Sequence, residues 1–216
     1  SWILPIPGLG SIANMLGDGY LKYQAYPIGT PHSSVADFQF TLPEFAKLTV
    51  EGYRADAMSL DLSRFERRGG KLIIYHGGYD QAIPPSGTVD YYQRLAQRSG
   101  GLLRTQQWAR LFVVPGMYHC GGGDSLAMVD PTRELVAWVE NGNAPDRITA
   151  TGVQPRTTVT RTRPVFPYPL RAKYTGTGDV NDAANFAAAP TIVPPDHDIV
   201  TWAGVYLHHI PGPTVR

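Results

Sequence analysis

A histidine and an aspartate, each just downstream of a short apolar run, are the residues of this sequence best placed to do chemistry. His119 lies in Tyr118-His119-Cys120-Gly121-Gly122-Gly123, shortly after Leu111-Phe112-Val113-Val114. Asp80 closes Lys71-Leu72-Ile73-Ile74-Tyr75-His76-Gly77-Gly78-Tyr79-Asp80, where an apolar run meets a glycine pair. An imidazole held at one nitrogen by a buried carboxylate can take a proton at the other, which is the acid–base half of a nucleophilic triad. The separation of 39 residues leaves room for one loop, one crossover helix and one strand, so the two side chains can meet at neighbouring strand ends. A helix-capping aspartate and a loop histidine satisfied by its neighbours form the structural alternative, and spacing leaves both open.

The elements that must hold this pair are legible from period and punctuation. Residues 71–75 form a strand between Gly69-Gly70 and Gly77-Gly78. Residues 88–97 place Val89, Tyr92, Leu95 and Ala96 at helical spacing and stop at Gly100-Gly101. Residues 110–114 form the next strand. Asp130-Pro131 then opens a helix with Leu135, Val136, Trp138 and Val139 on its apolar face and Gly142 after its last turn. Alternating strand and helix predict a parallel sheet with right-handed crossovers, whose working residues sit on loops leaving the carboxyl ends of strands. Asp80 and His119 both occupy such positions. The α/β-hydrolase fold orders its triad as serine, then acid, then histidine, so this chain carries the second and third members. It contains no Gly-x-Ser-x-Gly. Ser11, Ser33, Ser34, Ser59 and Ser63 lack the strand and glycine context, and Ser86 and Ser125 come too late in the order.

Elsewhere the sequence says less. Residues 1 to about 50 read as irregular, broken by Gly8, Gly10, Gly17, Gly19, Gly29, Pro27 and Pro31, with a short helix from Leu42 or Pro43 to about Thr49. Their aromatic residues suit the edge of a lid or a docking segment. After residue 150, Ile148–Thr151 and Thr157–Arg163 read as short strands and the remainder as coil, ending in a proline-rich tail. At 216 residues, 43% hydrophobic and net charge +1, nothing points to nucleic acid or an anionic membrane, and no apolar run approaches the roughly 20 residues of a membrane span. The first residues lack the basic start of an export signal. Metal readings are weak: His208-His209 point to opposite faces of any strand, Asp196-His197-Asp198 reads as a polar turn, and Asp179, Asn181 and Asp182 lack the glycine and distal glutamate of a calcium loop. His76 reads either as a pocket floor or as a hydrogen-bonded interior histidine, and Ile83 as a pocket wall or a core residue. Cys120 is the single cysteine, so it is either a reduced structural thiol or pairs outside the chain.

The segments around the pair resemble the tannase and feruloyl esterase family, which includes mono(hydroxyethyl) terephthalate hydrolase-like enzymes. Gly69-Gly70 through Asp80-Gln81-Ala82-Ile83-Pro84-Pro85 is similar to its acid segment, and Leu111 through His119-Cys120-Gly121-Gly122-Gly123 to its histidine segment. Trp138–Arg147 and Gly176–Phe186 are similar to its further markers, so the resemblance covers roughly residues 18 to 188. It implies a Ser-His-Asp carboxylic ester hydrolase acting on small aromatic (phenolic) esters, with catalytic Asp80 and His119 and no catalytic cofactor. It also implies a lid inserted between serine and acid, with a structural calcium in that lid. On this reading residues 1–40 end the lid, residues 41–188 form the C-terminal part of an α/β-hydrolase core, and residues 189–216 are a proline-rich tail. The family's serine follows a cysteine that bonds the one after the histidine, so Cys120 would join a segment absent here, either the N-terminal part of the same chain or a separate disulfide-linked one. Such a disulfide implies a secreted or periplasmic protein. A second family cysteine is replaced by Phe166, which fills space by packing. A non-catalytic remnant of the same fold and a different acyl hydrolase are the competing readings.

Overall fold

The computed structural model describes residues 10–30, 34–55, 57–119, 121–123, 126–153 and 157–191, in two compact units that part between Ser59 and Leu60. The first unit contains α1 (Ile12–Tyr23) and α2 (Leu42–Ala55). α2 runs where the short helix is expected and continues further. α1 overturns the irregular reading of this region. Its start is fixed by Ser11, whose hydroxyl accepts from the Asn14 amide at 3.1 Å, satisfying a donor the first helical turn would otherwise leave orphaned. Gly17 and Gly19 each weaken the helix by roughly 1 kcal/mol relative to alanine without abolishing it. At Gly17 the missing side chain is also needed, because a Cβ would overlap Val35 Cγ2. One residue on, Asp18 Oδ1 accepts from the Val35 amide at 2.7 Å and anchors the following turn to the helix.

The second unit runs α3 (Ser63–Arg67), β1 (Leu72–Gly77), α4 (Pro85–Arg98), α5 (Leu102–Thr105), β2 (Ala109–Val114), β3 (Met128–Val129), α6 (Thr132–Asn141), β4 (Ile148–Val153), β5 (Thr160–Val165), β6 (Leu170–Tyr174) and β7 (Phe186–Pro190). β1 and β2 pair in parallel, from Leu72 opposite Ala109 to Gly77 opposite Val114. Period two then sends alternate residues to opposite faces. Leu72, Ile74, Ala109 and Leu111 join Tyr92 and Leu95 of α4 in one apolar cluster, while Ile73, Phe112 and Val114 join Ile148, Ala150 and Val165 of β4 and β5 in the other. Burial on both faces is why β2 carries the continuous apolar run Leu111–Val114.

The downstream elements depart from the parallel pattern. β3, β4 and β5 form an antiparallel sheet, and β6 pairs antiparallel with β7. That last hairpin corrects the coil reading of its region. Ala187, Ala188 and Ala189 carry little intrinsic strand preference, and the ladder is completed by contacts remote in sequence. The Tyr174 and Phe186 rings lie 5.4 Å apart, and the Arg163 guanidinium sits 4.2 Å from the Phe186 ring centre. α6 begins after Asp130, whose carboxylate accepts from the Thr132 amide, and ends on Gly142 in the left-handed conformation, φ 72°.

Candidate active site

The loops leaving β1 and β2 are stitched to each other by backbone hydrogen bonds. The Gly78 amide donates to Val114 O at 2.8 Å and the Tyr79 amide to Met117 O at 3.0 Å. The histidine loop is closed on itself by the Tyr118 amide donating to Gly122 O, and tied onward through Gly122 N–H to Ala127 O and Ala127 N–H to Thr151 O on β4. Gly77 permits this crossing, because a Cβ there would collide with the backbone carbonyls of Met117 and Tyr118. Neither carbonyl can rotate away as a flexible side chain would. Gly77→Ala is therefore expected to destabilise the chain by about 1–3 kcal/mol, seen as a lower urea midpoint. An unchanged midpoint would show that the two loops have slack.

On this frame Asp80 and His119 meet. His119 Nδ1 lies 2.9 Å from Asp80 Oδ2, across 39 residues of sequence. Asp80 Oδ1 accepts from the amides of Ala82 at 2.8 Å and Ile83 at 2.9 Å. The Asp80 side chain is 4% exposed and that of His119 46%, so the acid is shielded while the imidazole reaches solvent. A carboxylate can only accept, so Nδ1 donates and Nε2 is the nitrogen left basic. Burial alone would raise the Asp80 pKa, but hydrogen bonds from the Ile83 amide, His119 and the Ala82 amide to the charged form outweigh it. They hold the group at about 2 against an ordinary 3.8. A depressed folded pKa contributes stability that is present above the unfolded value and is lost as pH falls through the folded one. Asp80 thus stabilises the fold above about pH 4 and ceases to do so towards pH 2. Over that interval wild type should lose unfolding free energy more steeply than Asp80→Asn; parallel curves would rule out a linked carboxylate here.

The other residues singled out from sequence are scattered around this pair. His76, on β1, has Nδ1 2.8 Å from Thr88 Oγ1 and Nε2 2.9 Å from Ile83 O, with Asp80 Oδ2 3.2 Å from the same Nε2. Ile83 and Tyr79, on the acid's loop, are 56% and 60% exposed. Thr88, in the first turn of α4, received no role from sequence; a lone threonine at a helix start gives no signal that it faces a histidine. Cys120, Ser125 and the His197 and His208-His209 segments lie outside the described residues. Phe166 lines an apolar cavity of about 270 Å³ together with Val89, Val113, Pro115 and Leu170, and neither Asp80 nor His119 contributes to it. Asp179 and Asp182 accept from the amides of Asn181 and Ala184 as turn caps. Among the described residues no group of three His, Cys, Asp or Glu is placed to hold a metal ion, and no helix is long and apolar enough to cross a membrane.

The chain is similar to known proteins. The family model described as tannase and feruloyl esterase matches residues 12–189. The chain is similar to mono(2-hydroxyethyl) terephthalate hydrolase of Piscinibacter sakaiensis, 49% identical over 135 residues, which cover 62% of this chain and 22% of that protein. It is 39% identical over 155 residues to a probable feruloyl esterase of Arthroderma benhamiae, covering 70% of this chain and 28% of that protein. Among solved structures, feruloyl esterase B from Aspergillus oryzae superposes with a TM-score of 0.61 at 25% identity, over 77% of this chain and 39% of that one. The chain therefore spans less than a third of the length of either of these two curated relatives.

Proposed function

This chain belongs to the tannase and feruloyl esterase family, and we propose that it carries the acid and the base of a serine carboxylic ester hydrolase. The observation that carries the reading is the 2.9 Å contact between His119 Nδ1 and a shielded, ionised Asp80. The nucleophilic serine belongs to a segment outside these 216 residues. It attacks the ester carbonyl while His119 Nε2 takes its proton, and Asp80 keeps the ring in one tautomer and stabilises its cation. His119 then protonates the departing alcohol, and a water deprotonated by the same nitrogen releases the acid. Every step moves a proton or an acyl group, so the chemistry requires no cofactor.

Two observations support a second segment. Among the described residues the parallel sheet has two strands, whereas parallel sheets are normally wider and covered. The chain also spans a minor part of its relatives. We take residues 41–188 as the C-terminal part of an α/β-hydrolase core. Cys120 pairs with a cysteine beside the serine, in a secreted or periplasmic protein. The substrate is an ester of an aromatic acid, as the terephthalate and feruloyl groups in the relatives' names suggest. The exposed Ile83 and Tyr79 beside Asp80 offer it an apolar wall.

Fluorophosphonate labelling with peptide mapping tests the whole reading. The label is expected on a serine of a segment linked to this chain through a reducible bond, visible as extra intact mass without reductant. This chain by itself should lack enzymatic ester turnover, since loss of a triad serine removes about 10⁶ in kcat. A labelled, activity-bearing serine within these 216 residues would overturn the assignment.

A further inference from the structure

We infer that His76 is a positioning residue for the acid, holding the turn of Asp80 so that one carboxylate oxygen is taken by backbone and the other is aimed at His119. This deepens the esterase reading and rests on it for the catalytic consequence, although the geometry belongs to the fold alone. The turn from Asp80 to Ile83 is clamped from two sides. The Ile83 amide donates to Asp80 Oδ1, and the Ile83 carbonyl lies 2.9 Å from His76 Nε2. A carbonyl oxygen can only accept, so Nε2 carries a proton, and that N–H also abuts Asp80 Oδ2 at 3.2 Å. In the neutral ring Nδ1 is then an acceptor, and the Thr88 hydroxyl, 2.8 Å away, donates to it.

This arrangement separates His76 from a substrate contact. Both ring nitrogens are engaged by protein and the side chain is 13% exposed, against 46% for His119. Two histidines share Asp80 Oδ2, but only His119 has a ring nitrogen to offer a reacting group. His76 also links β1 to the first turn of α4 through Thr88, so the acid's position is fixed by a strand and a helix as well as by its loop.

The test begins with long-range ¹H–¹⁵N spectra of this chain near pH 8.5, above the ordinary imidazole pKa of about 6.5. His76 is expected as the Nε2–H tautomer and His119 as the Nδ1–H tautomer. In His76→Ala, His119 should become a tautomer mixture, and in the assembled enzyme kcat should fall on the order of 10- to 100-fold with KM within about twofold, as expected when a reacting group is misplaced by an ångström or less. His76→Gln, whose amide can reach Ile83 O, should recover most of both, whereas His76→Phe should not. An Nδ1–H tautomer at His76, a His119 signal indifferent to His76→Ala, or rescue by phenylalanine but not glutamine would each overturn the inference. If the alanine variant fails to fold, the Gln and Phe variants and the wild-type spectrum decide. A wild-type assembly that turns over no ester would sink the esterase reading alone, and the spectra would still decide the role of His76.

Discussion

If the chain acts with a serine segment as proposed, replacing His119 by alanine in that assembly is expected to lower kcat by on the order of 10⁶, the loss typical when the base of a triad is removed. No other group takes over, because Asp80 is held as a carboxylate near pKa 2 and is too weak a base at neutral pH. Stability should fall modestly, since the side chain is 46% exposed and contributes little packing but its hydrogen bond to the shielded Asp80 carboxylate is lost. Steady-state kinetics on a feruloyl or terephthalate ester, alongside a urea melt, makes the comparison. Residual kcat above about a thousandth of wild type in a folded variant would mean that His119 is not the base.

Asp80→Asn should cost on the order of 10⁴ in kcat by a different route. The amide preserves shape, but whichever way it is turned one partner is lost. If its oxygen faces the Ala82 and Ile83 amides, its NH₂ faces His119 and forces the proton from Nδ1 to Nε2, leaving no basic nitrogen for the nucleophile. If it flips, the NH₂ opposes two backbone donors now at 2.8 and 2.9 Å. The variant should therefore be both less active and less stable at neutral pH, and its His119 should show the Nε2–H tautomer. A variant with more than a tenth of wild-type kcat would remove Asp80 from the acid's role while leaving His119 in place.

The pairing of Asp80 with His119 illustrates what local pattern can deliver. Each residue follows an apolar run closed by glycines or by proline and glycine, and the run lengths and crossover spacing suffice to bring them to adjacent strand ends. Tertiary context decided the elements whose local signals were mixed. α1 forms despite Gly17 and Gly19, since a capping serine and a close neighbour at Val35 outweigh weak propensities. β7 forms from alanines because β6 supplies its hydrogen-bond partners. α4 starts at Pro85 rather than at the first apolar repeat, as proline's fixed φ suits a first helical turn.

From sequence alone, then, come the two β1- and β2-type strands, the helices after them, the placing of Asp80 and His119 at neighbouring strand ends, and the absence of a Gly-x-Ser-x-Gly stretch. Periodicity and chain order carry that information because strands and helices impose fixed repeats on what must be buried. Only the folded chain decided which atoms meet: that Oδ1 of Asp80 is consumed by two amides, that Oδ2 faces His119, and that His76 turns both nitrogens inward to Thr88 and Ile83. Hydrogen bonds of that kind depend on angles and on distances of a few tenths of an ångström, set by backbone crossings such as Gly77 against Met117 and Tyr118, and no residue pattern encodes them locally.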